Sequence, residues 1–413
     1  MNQPLPGAAV RPFSSFDLPR PVLSALASRQ LDTPTPIQDA VIPDALAGHD
    51  VLGKARTGSG KTLAFGLPVL VRLSGGQRRR KAPRGLILLP TRELATQVRD
   101  ALVPFADRLN LSMALVYGGT PINRQISAVT AGVDLVIATP GRLGDLLERR
   151  ALTLDAIEVI ALDEADHLCD LGFYKPIDAI LAKTPQGAQK LLLSATLDGD
   201  VDRLVRRHLP VHRRHEVDSA EDAPADMTHH LVVTRREDRV RVARDLIAGE
   251  DRSIVFTRTK HGARRLAKQL STAGLTAVDL HGDLNQNQRE RNLARFRNGT
   301  ADVIVATDVA ARGIHVDGIG LVVHYDPPAE HKAFTHRSGR TARAGESGIV
   351  VTLATPEDLR DVVAMQNKAG VSARRHEVEG RTLTLAGLAT GGTLTKLAPA
   401  AGGAQRSNGG QRR

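Results

Sequence analysis

Short apolar segments of strand length alternate with segments of helical period along most of the chain, and this alternation constrains the fold more than any other feature. The apolar segments form two series, at 51–52, 86–89, 114–116, 135–138, 159–162 and 190–193, and then at 254–256, 278–280, 303–306, 321–323 and 348–353. Helix-period segments lie between them, at 92–109, 142–150, 258–273 and 287–296. Buried strands that alternate with amphipathic helices are typical of parallel sheets covered on both faces. The sequence therefore predicts an α/β protein with two tandem domains, each a mainly parallel sheet flanked by helices.

A charged, histidine-rich segment at about 198–227 separates the two series and predicts a domain boundary. The composition after the last apolar segment, rich in Gly, Ala, Thr and polar residues, predicts a flexible tail. Ligands of doubly wound sheets bind at the carboxyl ends of the strands, so we expect the functional residues there. The expected organisation is a flexible N-terminus (1–15), a first domain (16–215), a linker (216–228), a second domain (229–370) and a flexible, basic, Gly-rich tail (371–413).

The chain has 56 basic and 45 acidic side chains among 413 residues, a net charge of +11. A basic excess favours binding to nucleic acid through its phosphates, although a solvated basic surface explains the excess equally well. Aromatic residues make up only 3% and Trp is absent, which argues against a binder built on base stacking. With a single cysteine, no secretory signal and no apolar run long enough to span a bilayer, we expect a cytoplasmic protein without membrane partners.

A glycine-rich segment follows the first apolar segment and leads into a stretch of helical period. Gly58 and Gly60 allow backbone N–H groups to surround an anion at a helix N-terminus, as in a P-loop. Lys61 is placed to reach the β- and γ-phosphates of a nucleotide, and the Thr62 hydroxyl suits Mg²⁺. The general pattern begins with Gly where this chain has Ala, so a glycine-rich turn with an incidental lysine is the alternative. The predicted loop comprises Ala55, Arg56, Thr57, Gly58, Ser59, Gly60, Lys61 and Thr62.

An acidic cluster, Asp163-Glu164-Ala165-Asp166, comes directly after the buried segment 159–162. Asp163 is positioned to hold Mg²⁺, largely through water, together with Thr62. Glu164 is suited to orient and deprotonate an attacking water. Acidic turns at strand ends are common, so this cluster is informative only together with the P-loop upstream.

Further motifs follow one another in a fixed order: PTPIQ (34–38), PTRELA (90–95), GG (118–119), TPGR (139–142), SAT (194–196), IVFTRT (254–259), ATDVAARGI (306–314) and HRSGRTAR (336–343). With these motifs the chain resembles the DEAD-box ATP-dependent RNA helicases, in their minimal two-domain bacterial form, from about Phe16 to Leu353. The resemblance implies two RecA-like domains whose closure around ATP and Mg²⁺ is coupled to RNA binding. It also implies local unwinding of short RNA duplexes or remodelling of ribonucleoproteins by a monomer, with little sequence specificity.

The resemblance also implies roles for individual residues at the ATP site. Gln38 would select the adenine of ATP, although a surface glutamine before a helix is the commoner interpretation of such a residue. Arg340 and Arg343, three apart and so expected on one face of a helix, would act as arginine fingers; a solvated basic face is the alternative. The implied catalytic residues are Lys61, Asp163, Glu164, Arg340 and Arg343; Gly313 joins the ATP site, and Asp166, Ser194 and Thr196 couple hydrolysis to domain movement. Ser194 and Thr196 are equally explained as hydroxyls that cap a strand end.

The remaining motifs resemble the elements that face RNA in the family. Their hydroxyl, guanidinium and backbone donors suit sugar–phosphate atoms rather than base edges. RNA rather than DNA rests on the resemblance alone. The expected RNA-binding residues are Pro90, Thr91, Arg92, Gly118, Gly119, Thr139, Pro140, Gly141, Arg142, Thr257, Arg258, Thr307 and Asp308.

Several positions depart from the family pattern. Leu31 stands where the family has an aromatic residue that stacks on adenine, and Phe16 fits the more distant upstream aromatic at a shorter spacing. His315 replaces an aspartate that contacts the ribose, and we expect weaker nucleotide coupling from it.

Other residues invite functional interpretations that we weigh lower. His208, His212 and His215, with Glu216, have spacing that suits a metal, but four neighbouring arginines would repel a cation. Cys169 is expected to be a core thiol rather than a nucleophile. The basic segment 78–81 is either an RNA contact or a solvated loop.

Two other functions stay open at this point. One is a P-loop helicase or translocase that acts on DNA, and the other is an RNA-binding or annealing protein whose ATPase has decayed. The intact Lys61, Glu164, Arg340 and Arg343 argue against decay.

Overall fold

A computed structural model of the chain describes residues 11–55, 58–217, 227–311, 316, 318–342, 347–378, 381–384, 387–388 and 395–396. These residues divide into two units, the first taking in the described residues up to 217 and the second those from 227 onwards. Each unit is built around a sheet of its own. The α/β class and the two-domain organisation expected from the sequence are therefore confirmed.

The first sheet is parallel throughout, and both faces of its central strands are buried. Its strands are β1 (Val51–Lys54), β2 (Gly85–Leu88), β3 (Met113–Val116), β4 (Leu135–Ala138), β5 (Val159–Leu162), β6 (Gln189–Ser194) and β7 (Arg213–Glu216), in the order β3-β4-β2-β5-β6-β1-β7. Leu191 and Leu193 pack in one core cluster and Leu192 in the other. This two-sided burial explains why the strands appear in the sequence as uninterrupted apolar runs.

Helices cover both faces of the first sheet. They are α1 (Arg20–Ala27), α2 (Pro36–Leu46), α3 (Lys61–Leu73), α4 (Arg92–Arg108), α5 (Ile122–Ala131), α6 (Pro140–Glu148), α7 (Ala165–Asp170), α8 (Tyr174–Leu181) and α9 (Gly199–His208). Phe65 of α3 and Leu102 of α4 contribute to the core on one face. Leu143 of α6, Ile177 of α8 and Leu204 of α9 contribute to the core on the other. The amphipathic periods seen in the sequence thus correspond to helices that each bury one apolar face.

The second unit repeats this architecture. Its sheet contains β8 (Met227–Thr234), β9 (Ser253–Phe256), β10 (Ala277–Leu280), β11 (Val303–Ala306), β12 (Leu321–His324), β13 (Gly348–Ala354) and β14 (Arg374–Val378), in the parallel order β10-β11-β9-β12-β13-β8-β14. Its helices are α10 (Arg239–Ile247), α11 (Lys260–Thr272), α12 (Gln286–Arg297), α13 (Asp308–Ala311), α14 (His331–Ser338) and α15 (Leu359–Lys368). A short antiparallel pair, β15 (Arg381–Thr382) and β16 (Thr395–Lys396), follows.

Regular secondary structure begins before residue 16 and continues beyond residue 370, the two boundaries that the sequence predicted for the folded domains. Residues Phe13–Ser15, assigned to a flexible N-terminus, form a 3₁₀ turn in which the Phe13 ring is buried, edge-on to Phe16 at 5.9 Å. At the other end, β14 lies inside the predicted tail 371–413 and pairs with β8. The prediction that the tail begins at 371 is therefore wrong, because a highly charged edge strand gives no apolar signal in the sequence.

The predicted linker 216–228 also overlaps secondary structure at both ends. Glu216 is the last residue of β7, and β8 begins at Met227. The strand β7, with the sequence RRHE, is again an edge strand and again charged. Polar edge strands therefore account for the boundary errors on both sides of the linker.

Buried histidines distinguish the core of the second unit. His324 of β12 lies edge-on to the rings of Phe256 and Phe334, and its Nδ1 is 3.2 Å from Thr352 Oγ1. Burial, reinforced by the nearby Arg337 guanidinium, holds the pKa of His324 well below its ordinary value of 6.5. Burial and the neighbouring His376 ring lower the pKa of His230 from 6.5 to about 4. Both rings are therefore neutral in the folded protein at mildly acidic pH.

This arrangement predicts that the second unit loses stability in mild acid. A histidine whose pKa is lower in the folded state than in the unfolded state stabilises the fold fully above pH 6.5, and this stability is lost as the pH falls toward 4. We expect the free energy of unfolding to fall by up to about 1.4 kcal/mol per pH unit for each titrating histidine. Urea unfolding of the full chain at pH 7.5, 6 and 5 measures the slope.

The matched variant for this prediction is His324→Leu, which removes one titrating ring from the core. The pH slope of the variant, rather than its absolute stability, is the quantity to compare with the slope of the wild type. A variant that loses stability below pH 6.5 as steeply as the wild type would contradict the role given to His324.

Candidate functional site

The glycine-rich loop after β1 ends at the N-terminus of α3. Gly58 and Gly60 have φ angles of +89° and +92°, in the left-handed region that side-chain-bearing residues seldom adopt. Gly60 is the N-cap of α3, so the loop meets the positive end of that helix. Such a turn presents backbone N–H groups to an anion. Arg56 and Thr57, two of the predicted loop residues, lie outside the described residues.

The Lys61 side chain folds back onto the first residue of the loop. Its side chain is buried, and Nζ donates a hydrogen bond to the Ala55 carbonyl oxygen at 2.7 Å. The Ala55 N–H in turn donates to the Ser194 carbonyl oxygen at the end of β6, at 3.0 Å. The half-buried Thr62 follows Lys61 on the first turn of α3. The predicted phosphate-binding residues that the structure describes are thus brought together at the carboxyl end of β1.

Gln38 links helix α2 to this loop. Its side chain is only 4% exposed, so the interpretation of Gln38 as a surface glutamine is wrong. Oε1 accepts from the Thr35 N–H at 2.9 Å, and Nε2 donates to the Gly60 carbonyl oxygen at 3.0 Å. A Cβ at position 60 would lie 2.6 Å from Gln38 Nε2, so the close approach of helix and loop requires glycine there. The glutamine therefore contributes to the shape of the phosphate loop.

The acidic cluster lies at the end of β5, where its carboxylates are withdrawn from solvent. Asp163 is 3% exposed, and its Oδ1 accepts from the Glu164 N–H at 2.9 Å. Burial raises the pKa of Asp163 from 3.8 to about 7, while the nearby Lys61 ammonium opposes part of that rise. A buried carboxylate is costly without a compensating cation. The oxygen donors of Asp163 and Thr62 are of the kind that Mg²⁺ prefers, so these residues fit the metal.

Asp166 connects the acidic cluster to β6. Its Oδ2 accepts from the Thr196 N–H at 3.0 Å and from the Thr196 hydroxyl at 3.3 Å. The Asp166 N–H donates to Ser194 Oγ at 3.1 Å. The SAT segment and the acidic cluster, which the resemblance gives a joint coupling role, are therefore in direct contact in the first unit.

His167 is a neighbour of the acidic cluster that sequence reasoning missed. Its Nδ1 lies 3.0 Å from Glu164 Oε2, and its backbone N–H donates to Asp166 Oδ1 at 2.9 Å. Both side chains of the His167–Glu164 pair are buried. The spacing of three residues at the start of a helix was the available signal, since residues three apart share a helix face.

The sheet order divides the carboxyl edge of the first sheet into two halves. The neighbouring strands β5, β6 and β1 carry the acidic cluster, the SAT segment and the phosphate loop. The neighbouring strands β3, β4 and β2 carry the segments expected to contact RNA. The latter comprise Pro90, Thr91 and Arg92 after β2, Gly118 and Gly119 after β3, and Thr139, Pro140, Gly141 and Arg142 after β4.

The segments of the second half contact one another. Gly119 has a φ of +82°, and a Cβ there would overlap the Arg92 guanidinium. Arg142 Nη1 donates to the Thr120 carbonyl oxygen at 3.1 Å, which ties the start of α6 to the loop after β3. Thr91 caps α4 through Oγ1, which accepts from the Leu94 N–H at 3.3 Å. Two guanidiniums and a helix start are thus arranged side by side on this half of the edge.

In the second unit, Thr257 and Arg258 follow β9. Thr257 is buried, and the Arg258 N–H donates to Asp326 Oδ2 at 2.8 Å. Thr307 and Asp308 follow β11, and Asp308 Oδ2 is 2.7 Å from Arg337 Nη2. The Asp308 carboxylate therefore anchors the buried Arg337.

The expectation that Arg340 and Arg343 share one face of a helix is wrong. Helix α14 ends at Ser338, and Gly339 and the buried Arg340 follow in a turn. Spacing alone does not show where a helix ends, and the helix here stops at its C-cap, Gly339. Arg343 lies outside the described residues, as do Gly313 and His315.

A cavity of ≈ 440 Å³ lies beside Thr257 and Thr259 in the second unit. Its lining includes Arg239, Arg265 and Tyr325, which sequence reasoning missed because they are far apart in the chain. The Arg239 guanidinium lies 4.4 Å from the centre of the Tyr325 ring. Burial raises the pKa of Tyr325, so the phenol is neutral at physiological pH. Asp326 also lines the cavity and pairs with Arg239 at 3.3 Å, so the cavity is a polar recess of mixed charge next to residues expected to contact RNA.

The basic segment 78–81 lies away from these elements. It belongs to the loop between α3 and β2, at the amino end of the strands, where Arg78 Nε is 3.1 Å from Asp134 Oδ2. Arg80 Nε is 3.5 Å from the Thr130 carbonyl oxygen. This loop therefore takes no part in the site at the carboxyl edge.

Leu31, which departs from the family pattern, and Phe16, which fits its upstream aromatic, both pack with the core of the first unit. The Phe16 ring is buried, and Leu31 packs, partly buried, against the same core cluster. Their side chains therefore contribute to packing in this structure.

The histidines considered for a metal have separate partners. His208 Nε2 is 2.8 Å from Asp178 Oδ1, His215 Nε2 is 2.8 Å from Asp44 Oδ2, and His212 Nδ1 is 2.7 Å from the Leu209 carbonyl oxygen. Among the described residues, no group of three or more His, Cys, Asp or Glu side chains is arranged to hold a metal ion.

Cys169 lies on α7, half-buried, and burial raises the pKa of its thiol from 9.0 to about 11. A thiol with so high a pKa is a poor nucleophile at neutral pH. In the part of the chain that the structure describes, no helix is both long and apolar enough to cross a membrane.

The chain matches two family models in the expected order. The model of the DEAD/DEAH box helicases matches residues 35–204, and that of the helicase conserved C-terminal domain matches residues 238–345. Together they include every motif of the site from Gln38 to Arg343.

Curated relatives and solved structures give the same result. The chain is 39% identical over 368 residues to the ATP-dependent RNA helicase drs1 of Neosartorya fischeri, covering 87% of this chain and 45% of that protein. It is 37% identical over 382 residues to the DEAD-box ATP-dependent RNA helicase 53 of Oryza sativa subsp. japonica, covering 89% and 63%. It thus spans less than two thirds of the length of these relatives.

Among solved structures, S. cerevisiae Dbp5 bound to RNA and ADP BeF3 is similar, with a TM-score of 0.78 and 27% identity over 88% of this chain and 95% of that one. The geometry of the site agrees with all three comparisons: the two family models, the relatives at 37–39% identity and the similar fold of Dbp5. The chain therefore belongs to the DEAD-box helicase family.

Proposed function

We propose that this protein is an ATP-dependent RNA helicase, which hydrolyses ATP when its two units close and thereby separates short RNA duplexes or remodels ribonucleoproteins. The observation that carries the proposal is the arrangement on three adjacent strands of the first sheet. The phosphate loop with the buried Lys61 follows β1, the Asp163–Asp166 cluster follows β5, and Thr196 after β6 is bonded to Asp166. Relatives named ATP-dependent RNA helicases, and Dbp5 bound to RNA and ADP BeF3, support the same function.

ATP binds in this proposal at the loop before α3. The backbone of the loop surrounds the phosphates, Lys61 moves from the Ala55 carbonyl oxygen to the β- and γ-phosphates, and Gln38 recognises adenine. Thr62 and Asp163 hold Mg²⁺, the latter largely through water. When bound, Mg²⁺ supplies positive charge to the phosphates. The remaining loop residues Ala55, Arg56, Thr57, Gly58, Ser59 and Gly60, with Gly313, complete the ATP site.

Glu164 orients the attacking water and accepts its proton. Arg340 and Arg343 of the second unit stabilise the negative charge that develops on the transferred phosphoryl group. Because these arginines and the phosphate loop belong to different units, turnover requires domain closure. The contacts of Asp166 with Ser194 and Thr196 are suited to couple hydrolysis to that movement.

RNA binds along the other half of the carboxyl edge of the first sheet and at the loops after β9 and β11 of the second unit. Hydroxyl, guanidinium and backbone donors there hold the sugar–phosphate backbone, so we expect little sequence specificity. We expect the chain to act as a monomer. Its partners in this proposal are single-stranded RNA and short RNA duplexes, including RNA within ribonucleoproteins.

Steady-state ATP hydrolysis with and without single-stranded RNA or DNA tests this function. We expect RNA to stimulate turnover and DNA of the same sequence to have little effect. Equal stimulation by DNA would favour a DNA translocase, and turnover that RNA does not stimulate would contradict the proposal. RNA binding without any hydrolysis would indicate a decayed ATPase.

Replacing the proposed base tests the chemical role of the acidic cluster. Glu164→Gln keeps the size of the side chain but removes the proton acceptor, so we expect the RNA-stimulated kcat to fall at least about 100-fold. ATP affinity should stay within about threefold of the wild type, because the phosphate loop is unchanged. Turnover is measured by phosphate release and affinity by a fluorescent ATP analogue. A variant that retains most of its kcat would show that another group removes the proton.

Gln38 offers a second test, because both ends of its amide are used. Gln38→Glu keeps the acceptor for the Thr35 N–H but removes the donor to the Gly60 carbonyl oxygen. The variant also lacks the amide donor that recognises adenine in this proposal, and the loss of such a bond costs about 1–3 kcal/mol, so we expect the KM for ATP to rise roughly tenfold or more. Arg11→Ala, which removes the exposed ion pair with Asp39 on the same helix, is the control and should leave the KM unchanged. A normal KM for Gln38→Glu would exclude this amide from ATP binding.

A further inference from the structure

We propose that His167 is a positioning residue for Glu164, holding its carboxylate in place through a hydrogen bond from Nδ1. The inference rests on the proposed ATPase, in which Glu164 accepts the proton of the attacking water. General-base catalysis depends on the placement of the base, and a displacement of about 1 Å can cost roughly 100-fold in rate. A side chain that fixes the base can therefore control kcat without touching the substrate.

The first support is the geometry of the pair. His167 Nδ1 is 3.0 Å from Glu164 Oε2, and both side chains are more than nine-tenths buried. Because water is largely excluded from the pair, this bond is stronger than a similar bond on the surface. Glu164 itself has a φ of +49°, which non-glycine residues seldom adopt. Unusual backbone angles of this kind cluster at functional sites.

The second support is the other bond that His167 makes. Its backbone N–H donates to Asp166 Oδ1 at 2.9 Å, while Oδ2 of the same carboxylate accepts from Thr196. His167 thus lies between the proposed base and the contact that joins β5 to β6. A shift of Thr196 during domain closure would reach Glu164 through Asp166 and His167.

The third support is the state of the other ring nitrogen. Nε2 of His167 is buried and has no hydrogen-bond partner within the described part of the first unit. Buried polar atoms usually have partners, so an exception requires an explanation. Of the two ring nitrogens, Nδ1 alone has a partner among these residues, and that partner is Glu164. The orientation of the ring therefore makes the hydrogen bond between Nδ1 and Glu164 and leaves Nε2 without one.

Two amide substitutions at position 167 form a matched pair. The amide nitrogen of His167→Asn lies close to where Nδ1 was, whereas the longer side chain of His167→Gln places its amide near the position of Nε2. His167→Leu removes the donor altogether. All three are compared with the wild type in full-length protein, at saturating RNA, by kcat, KM for ATP, RNA affinity and thermal unfolding.

We expect His167→Leu and His167→Gln to lower kcat roughly 10–100-fold, with the KM for ATP and the RNA affinity within about twofold of the wild type. His167→Asn should recover kcat to within about threefold, since it restores the donor. A purely structural role would lower the unfolding temperature of all three variants and would not separate Asn from Gln.

The inference is overturned if kcat is unchanged in His167→Leu, if Asn and Gln behave alike, or if KM changes in place of kcat. If His167→Leu does not fold, the comparison of kcat between His167→Asn and His167→Gln tests the inference without it. Failure of the proposed function is a separate result: wild-type protein would then show no RNA-stimulated hydrolysis at all. An active wild type with three equally active variants contradicts only the role of His167.

Discussion

The parallel pairing of β6 between β1 and β5 is the constraint on which the site of the first unit depends. Leu191 of β6 pairs with Val51 of β1 on one side and with Ala161 of β5 on the other. Because the three strands run in one direction and end together, the phosphate loop, the acidic cluster and the SAT segment emerge side by side. The Lys61 ammonium then lies close enough to Asp163 to affect its pKa.

Burial makes the site responsive to ligands. Asp163 is withdrawn from solvent, and the cost of its charge is only partly offset by Lys61. Groups of this kind gain more from an added cation or an ordered hydrogen bond than exposed groups do, because the local dielectric constant is low. The same reasoning applies to the buried pair of Glu164 and His167, whose hydrogen bond is largely shielded from water.

The central strands could be predicted from the sequence, and the edge strands could not. Segments such as Leu135–Ala138 and Val159–Leu162 are buried on both faces, so their composition alone reveals them. The strands Arg213–Glu216 and Arg374–Val378 pair on one side only and carry charged side chains, so neither periodicity nor apolarity marks them. The spacing of Arg340 and Arg343 predicts a shared helix face, but α14 ends at Ser338, before either arginine.

The sequence by itself determined the α/β class, the order of the motifs and the chemical types of residue at the proposed ATP and RNA sites, because these depend on local pattern and on side-chain chemistry. Only the tertiary structure decided which of these groups bond to one another. The bond from Gln38 to Gly60, that from His167 to Glu164 and that from Arg337 to Asp308 each depend on strand order or on how a helix begins. Hydrogen bonds of this kind require positions within tenths of an ångström, and such positions follow from the packing of the whole unit rather than from any local sequence.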